Sequence, residues 1–150
     1  MGDMVTKARL EDDLKEAIRA GDALRKSTLR MTIAAIRQAE VDRGSPLDES
    51  AIINIIQKEV KSRHESIEDA RRAGRPDLEQ TSRAEIDLLE DYLPSQLGSA
   101  ELEDLARQVI SEVGASSLRE MGQVMKILIP RLEGRATGEQ ASQMVRKLLQ

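Results

Sequence analysis

The chain has 150 residues, of which 39% are hydrophobic and 33% are charged, and its formal net charge at pH 7 is −4. It contains no Cys, Phe or Trp, which excludes disulfides, cysteine-based zinc sites and a thiolate nucleophile and leaves aliphatic residues and Met to build the core. Acidic and basic residues are mixed along the whole chain, which argues against strong nonspecific binding to nucleic acids, since that depends on clustered Lys and Arg.

Four helices are predicted in the first 93 residues, because apolar residues recur there every three or four positions. The third is the most regular, with Ile52, Ile56 and Val60 following Asp48 as the N-cap. For the fourth helix, Ser82 with Glu85 three residues later is an alternative start. Residues that commonly cap or begin helices separate the four segments, and they are Gly21, Asp22, Gly44, Asp48, Gly74 and Pro76.

A domain boundary is predicted after residue 93, because Pro94, Gly98 and Ser99 interrupt the helical periodicity. Residues 1–93 would form an N-terminal helical domain. Residues 94–150 would form a smaller C-terminal domain of three helices. The predicted fold class is therefore all-α, with a longer N-terminal and a small C-terminal helical domain.

The three helices of the second segment have their own boundary signals. The fifth is expected to end at Gly114, and the sixth to meet Pro130, which would kink or end it before Leu132. Two capping boxes are predicted, in which a Ser or Thr precedes a Glu or Gln by three residues: Ser117 with Glu120 for the sixth helix, and Thr137 with Gln140 for the seventh.

Few residues could carry out catalysis. The single histidine, His64, precedes Glu68 by one turn of the third helix, and two residues do not make a metal site, so a solvated surface position is the better interpretation. The "GASS" stretch from Gly114 to Ser117 resembles a serine amidase loop faintly, but no lysine lies near it. We therefore expect no catalytic residue, no metal site and no cofactor.

Two basic clusters are candidate contacts for an anion. The first basic cluster, Arg71, Arg72 and Arg75, surrounds Gly74 at the turn after the third helix, where cations also stabilise the end of a helix dipole. The second basic cluster flanks the start of the last helix, whose amides near Gly138 could receive a phosphate. This cluster comprises Arg131, Arg135, Arg146 and Lys147, together with the helix start at Thr137 and Gly138. From the residues alone, a corner of a helical bundle and a phosphate or RNA contact remain equal alternatives.

The segment "MGDMVTKARLEDDL" has no apolar h-region, and no apolar run in the chain is long enough to cross a bilayer. We therefore expect a cytoplasmic location and no membrane partner.

Five motifs in order resemble the GatB/YqeY family, and the resemblance extends over almost the whole chain. They are "LRMTIAAIRQAE", "KEVKSRHESIEDARRAGRPDL", "EDYLPSQL", "MGQVMK" and "GRATGEQASQMVRKLL". The resemblance implies an all-helical fold with a longer N-terminal and a small C-terminal domain. One departure is Thr137, where the resemblance leads us to expect Asp.

The resemblance also implies a functional direction. The related domain is the tail of the B subunit of the glutamine-dependent aminoacyl-tRNA amidotransferase, where it helps to hold tRNA while other domains do the chemistry. We therefore expect a non-catalytic accessory protein that binds tRNA, an amidotransferase or another translation-related protein. A protein-interaction adaptor without RNA binding is the alternative, favoured by the net negative charge and the lack of aromatic residues for stacking. Carbon–nitrogen ligase activity of the chain alone ranks last.

Overall fold

The computed structural model describes residues 4–150, and the regular structure in this range is entirely helical, which confirms the predicted all-α class. A short 3₁₀ turn, Leu118–Glu120, precedes the sixth α-helix. The α-helices are α1 (Lys7–Ala20), α2 (Ala23–Arg43), α3 (Glu49–Arg72), α4 (Pro76–Glu90), α5 (Ser99–Val113), α6 (Met121–Leu132) and α7 (Gly138–Leu149).

The chain forms two compact units, one that ends at Leu93 and one that spans Pro94–Gln150. In the first unit, α1 packs against α2, and α3 packs against α4. Each of its four helices contributes a large, fully buried aliphatic side chain to the core, namely Leu10, Ile36, Ile56 and Leu89. Burial of apolar side chains at helical spacing is thus what holds these four helices together.

In the second unit, α5, α6 and α7 pack against one another in pairs. Val109, Val124, Leu128 and Val145 are fully buried between them, so each helix contributes branched aliphatic side chains to one small core. That these two units behave as independent domains stays a prediction.

The helix boundaries follow the capping signals of the sequence. The side chains of Asp22, Asp48 and Thr137 each accept a hydrogen bond from the amide three residues later, as N-cap residues do. Gly21 and Gly44 end α1 and α2 with φ of 68° and 78°, in the left-handed region that costs residues with a Cβ more than glycine.

Three predicted boundaries differ from the structure. Ser117 makes no side-chain capping bond, because the Glu120 carboxylate accepts from the Ser116 amide and a 3₁₀ turn intervenes. Pro130 lies inside α6, which continues to Leu132, so the proline does not end this helix before Leu132. Pro130 removes one backbone donor, and it lies at an exposed position near the end of the helix.

The third difference is the end of α3. Its C-cap is Ala73, and Gly74 follows it with φ of 66°.

Among residues 4–150, no helix combines the length and the apolar character needed to cross a membrane.

Candidate nucleic-acid interface

The first basic cluster lies at the turn between α3 and α4, and its arginines contact carboxylates. Arg71 donates to Glu79 at 2.9 Å and to Glu68 at 3.1 Å. The Arg72 guanidinium lies 3.7 Å from Asp69 on the preceding turn of α3. Both arginines belong to the last turn of α3, where their positive charge also stabilises the helix dipole.

Arg75, the third member, precedes α4 and forms two hydrogen bonds with the Asp77 carboxylate, at 3.1 and 2.9 Å. The hydrogen bond with Arg75 holds the pKa of Asp77 below its ordinary value. Arg83, and then Arg71, lower the pKa of Glu79 in the same way. The cations of this cluster are thus partly neutralised by carboxylates, which reduces the field available to an incoming anion.

Arg131, at the end of α6, is paired with a carboxylate of α5. Its guanidinium donates to both oxygens of Glu112, at 3.0 and 2.6 Å, in the bidentate geometry that arginine favours. The hydrogen bond with Arg131 lowers the pKa of Glu112. This arginine therefore connects α5 to α6 within the second unit.

Arg135 holds the segment after Pro94 against the turn between α6 and α7. Its Nε donates to the Ser95 carbonyl at 3.0 Å, and the Arg135 carbonyl accepts from the Leu97 amide at 2.7 Å. Glu101 lies 3.7 Å from its guanidinium. Arg135 is half-exposed, so it combines this structural contact with some access to solvent.

The start of α7 is closed by the predicted capping box, which is confirmed. The Gln140 amide donates to Thr137 Oγ1 at 3.1 Å, and the Thr137 amide donates to Gln140 Oε1 at 2.9 Å. The box does not involve the amide of Gly138, the first residue of α7. Two of the amides that could have received a phosphate therefore bind the side chains of the box instead.

Arg146 and Lys147 are exposed cations of the second basic cluster that, unlike Arg131, have no carboxylate partner among the described residues. They are neighbours in the last turn of α7, and neither forms an ion pair with any residue that the structure describes. Lys147 lies nine positions after Gly138, which corresponds to about 13 Å along a helix axis. The second basic cluster is therefore two separate groups, one at each end of α7.

The remaining candidates for chemistry have no partner arrangement typical of catalysis. His64 is exposed on α3, and Ser116 is exposed in the turn after α5. No group of three or more His, Asp or Glu residues in the described range could hold a metal ion.

The sequence interpretation missed a pocket within the first unit that is lined by apolar and charged residues, here called the Tyr92 pocket. Tyr92 is 8% exposed, its hydroxyl donates to Asp13 Oδ2, and the Arg9 guanidinium lies 4.9 Å from its ring centroid. Burial, and then the hydrogen bond to the Asp13 carboxylate, raise the pKa of the Tyr92 phenol. The lining comprises Arg9, Asp13, Arg25, Thr28, Leu29, Leu88, Leu89, Asp91 and Tyr92.

These pocket residues come from α1, α2, the end of α4 and the two residues that follow α4, so sequence spacing alone does not bring them together. The sequence did contain one signal for this pocket, namely the single tyrosine that follows the apolar stripe of the fourth helix. A buried tyrosine hydroxyl needs a hydrogen-bond partner, so a polar group was to be expected beside it.

A second missed feature is the buried Arg63 on α3, which is 6% exposed. Its Nη1 donates to Glu59 at 2.6 Å and its Nε donates to Glu85 at 3.0 Å, while Nη2 lies 4.0 Å from the Met31 sulfur. Arg63 therefore links α3 with α4 and α2. Its position on the buried face of α3, seven residues after Ile56, was the signal that could have identified it.

Comparison with known proteins identifies a protein family that this chain matches. A family model described as Yqey-like protein matches residues 7–149. The curated relatives include proteins named altered inheritance of mitochondria protein 41, mitochondrial. The relative from Eremothecium gossypii is 40% identical over 66% of this chain and 54% of its own length. The relative from Pyrenophora tritici-repentis is 32% identical over 88% of this chain and 74% of its own length. The relative from Lachancea thermotolerans is 34% identical over 73% of this chain and 60% of its own length.

Two of these three matches cover less than two thirds of the relative, so the chain corresponds to only part of the length of those proteins. The names of the relatives also correct one expectation. A cytoplasmic location was inferred from the sequence, and it is contradicted because all three relatives are named as mitochondrial proteins. The composition of the first residues was therefore a poor guide to location.

Proposed function

The chain belongs to the YqeY-like protein family, and from that premise we propose that it is a non-catalytic accessory protein that binds tRNA through the exposed end of α7. Its partner would be a glutamine-dependent aminoacyl-tRNA amidotransferase or another translation-related protein. The proposal rests on the resemblance to the tail of the amidotransferase B subunit, which helps to hold tRNA. The chemistry would be supplied by the partner, because neither the His64 ring nor the Ser116 hydroxyl has a hydrogen-bond partner among the described residues that would activate it.

The observation that carries the proposal is the pair Arg146 and Lys147. Both are exposed, and neither is ion-paired with a described residue, so their charge is available to phosphates. Arg131 and Arg135, in contrast, are already bonded within the second unit and are held in fixed positions. Contacts from such residues would position an RNA backbone without reading its sequence.

The test is a titration of the full chain with tRNA at low ionic strength, compared with the double variant Arg146→Ala, Lys147→Ala. We expect the double variant to bind at least about tenfold more weakly, because two cations that neutralise phosphates are removed. A matched control is Lys15→Ala, Arg19→Ala, which removes the same charge from exposed positions of α1. Equal affinity of both double variants for tRNA would contradict the proposed site.

A second candidate function is a protein-interaction adaptor, and a specific observation favours it. Five of the seven cations in the two basic clusters lie within 4.0 Å of a carboxylate, namely Arg71, Arg72, Arg75, Arg131 and Arg135. Residues 94–150 contain seven Lys and Arg and seven Asp and Glu, so this unit has no excess of positive charge. Such a surface suits a protein partner at least as well as a polyanion.

The two candidates differ in what accompanies the protein from a native lysate. Affinity capture with and without ribonuclease treatment tests this difference, with protein and RNA both identified. A tRNA-binding accessory protein should retain tRNA and lose it after ribonuclease treatment. An adaptor should retain the same protein partner in both samples and no tRNA.

A further inference from the structure

The Tyr92 pocket is a half-open cavity of about 150 Å³ in the first unit. Leucine side chains of α2 and α4 form its apolar part, and Arg9, Asp13 and Arg25 bring charges of both signs to its wall. Tyr92 separates these charged groups from the core, since its ring packs in the core and its hydroxyl reaches Asp13. The proposed tRNA contact lies on α7, so this pocket has no part in it.

The Arg25 guanidinium and the Asp13 carboxylate in the wall have hydrogen-bond donors and acceptors that neighbouring residues leave available. Arg25 Nη2 lies 3.9 Å from Asp13 Oδ1 and 4.0 Å from Glu16 Oε2, and both distances exceed a hydrogen bond. Asp13 accepts the Tyr92 hydroxyl on Oδ2, and a carboxylate can accept several further bonds. Arg25 and Asp13 therefore form an ion pair without a direct hydrogen bond, and a small ligand lying alongside the pair can add hydrogen bonds to both groups.

We propose that the Tyr92 pocket binds a free α-amino acid. The carboxylate of the ligand would pair with Arg25, and its ammonium group would pair with Asp13 Oδ1. In an α-amino acid these two charged groups are attached to the same carbon, so one small molecule can satisfy two opposite protein charges that are 3.9 Å apart.

The mixed charge of the wall selects this chemistry over a simple ion. A phosphate or acetate would gain the attraction of Arg25 and meet the repulsion of Asp13. An amine alone would be attracted by Asp13 and repelled by Arg25. A zwitterion avoids both conflicts, because each of its charges lies beside the opposite charge of the protein.

The size and the apolar part of the cavity limit the side chain of the ligand. A cavity of about 150 Å³ can accommodate a molecule of about six heavy atoms. An amino acid with a short apolar side chain, such as alanine, has a comparable number of heavy atoms. For so few atoms we expect a dissociation constant on the order of millimolar.

The test follows backbone amide resonances of the full chain by NMR during titration with L-alanine, acetate, methylammonium and inorganic phosphate. We expect saturable shifts at Leu89 and Tyr92 with L-alanine, and at least about tenfold weaker binding of each single-charge ion. Phosphate or acetate binding as tightly as L-alanine would overturn the inference and leave an anion site. Absence of saturable shifts with L-alanine would overturn it as well.

Variants then assign the two contacts. Asp13→Asn keeps an acceptor for the Tyr92 hydroxyl and removes the negative charge, so it should weaken L-alanine about tenfold and not weaken acetate. Arg25→Gln should weaken both ligands. The matched control is Arg30→Gln, an exposed α2 residue outside the cavity lining, which should change neither. Unchanged L-alanine affinity in Asp13→Asn would contradict the inference, and the ion comparison on the unmodified chain decides the matter even if a variant fails to fold.

Discussion

Arg63 illustrates at the scale of one residue how a buried charge is accommodated in this fold. It is 6% exposed and carries two carboxylate partners, Glu59 and Glu85, whose side chains are 18% and 17% exposed. A buried guanidinium is tolerated only when its donors are satisfied, and here a backbone carbonyl and two carboxylates accept them. Removal of the arginine would leave two nearby carboxylates without their shared partner.

We therefore predict that Arg63→Met lowers the free energy of unfolding by about 2–3 kcal/mol, less than for a fully buried pair because both glutamates reach solvent. Arg83→Met is the control, since Arg83 pairs with Glu79 on the exposed face of α4 and should cost less than about 1 kcal/mol. Chemical denaturation of both variants measures the difference. Equal stability of the two variants would show that the Arg63 network contributes nothing specific.

Tyr92 gives a prediction about pH. Burial and the Asp13 carboxylate raise the pKa of the phenol above its ordinary value of 10.0, so the folded protein should keep this proton when the unfolded chain has lost it. The contribution to stability is therefore complete below about pH 10 and falls as pH rises further. Tyr92 is the only tyrosine and Trp is absent, so phenolate absorbance reports this group alone.

The measurement is an alkaline titration followed by phenolate absorbance and by circular dichroism. Ionisation should occur only together with loss of helix. In the variant Asp13→Asn, ionisation of Tyr92 should begin at lower pH, because the Asp13 carboxylate no longer raises the pKa of the phenol. Burial of the phenol remains. Half-ionisation near pH 10 with intact helices in the unmodified protein would contradict the burial of Tyr92.

At the scale of the helix, the start of α7 depends on the reciprocal bonds of Thr137 and Gln140. Thr137→Ala should cost about 1 kcal/mol of stability, and Thr137→Ser should cost much less because the hydroxyl remains. Ser142→Ala, a hydroxyl deletion within the same helix, should stay within about 0.5 kcal/mol of the unmodified chain. Thermal or chemical unfolding measures all three, and equal losses for Thr137→Ala and Ser142→Ala would contradict a role for the capping box.

The helices were predictable because local chemistry determines most of their boundaries. Asp22, Asp48 and Thr137 cap helices in the structure as their positions in the sequence indicated. Ser117 fails because Glu120 accepts from the Ser116 amide instead, and spacing alone does not distinguish these two acceptor arrangements. Pro130 is tolerated because it lies on the exposed side of α6, a property of tertiary packing that spacing does not reveal.

Candidate sites were less predictable than helices. The basic clusters were visible as runs of arginine, but their carboxylate partners Glu79 and Glu112 lie 8 and 19 residues away in sequence from Arg71 and Arg131. The Tyr92 pocket depends on a contact between residues 79 positions apart. Such pairings are set by how helices pack, so charge patterns within one helix could not show them.

At the scale of the whole molecule, the predicted domain boundary can be tested by limited proteolysis. The contacts of Arg135 hold Ser95 and Leu97 within the second unit, so the first accessible bonds should lie close to Leu93 rather than throughout residues 92–99. A protease of broad specificity at low concentration should release fragments of about 93 and about 57 residues first. Initial cleavage inside α3 would contradict the boundary.

The central claim, that this family member binds tRNA through exposed cations of α7, is tested most directly by the salt dependence of its tRNA affinity. We predict a steep fall in affinity with rising salt, because counterions are released when Arg146 and Lys147 contact phosphates. In Arg146→Ala, Lys147→Ala, the slope of log affinity against log salt should decrease by about one unit for each phosphate that the protein no longer neutralises. The same slope and affinity in this variant as in the unmodified chain, with both folded, would contradict tRNA binding at α7 and favour the adaptor.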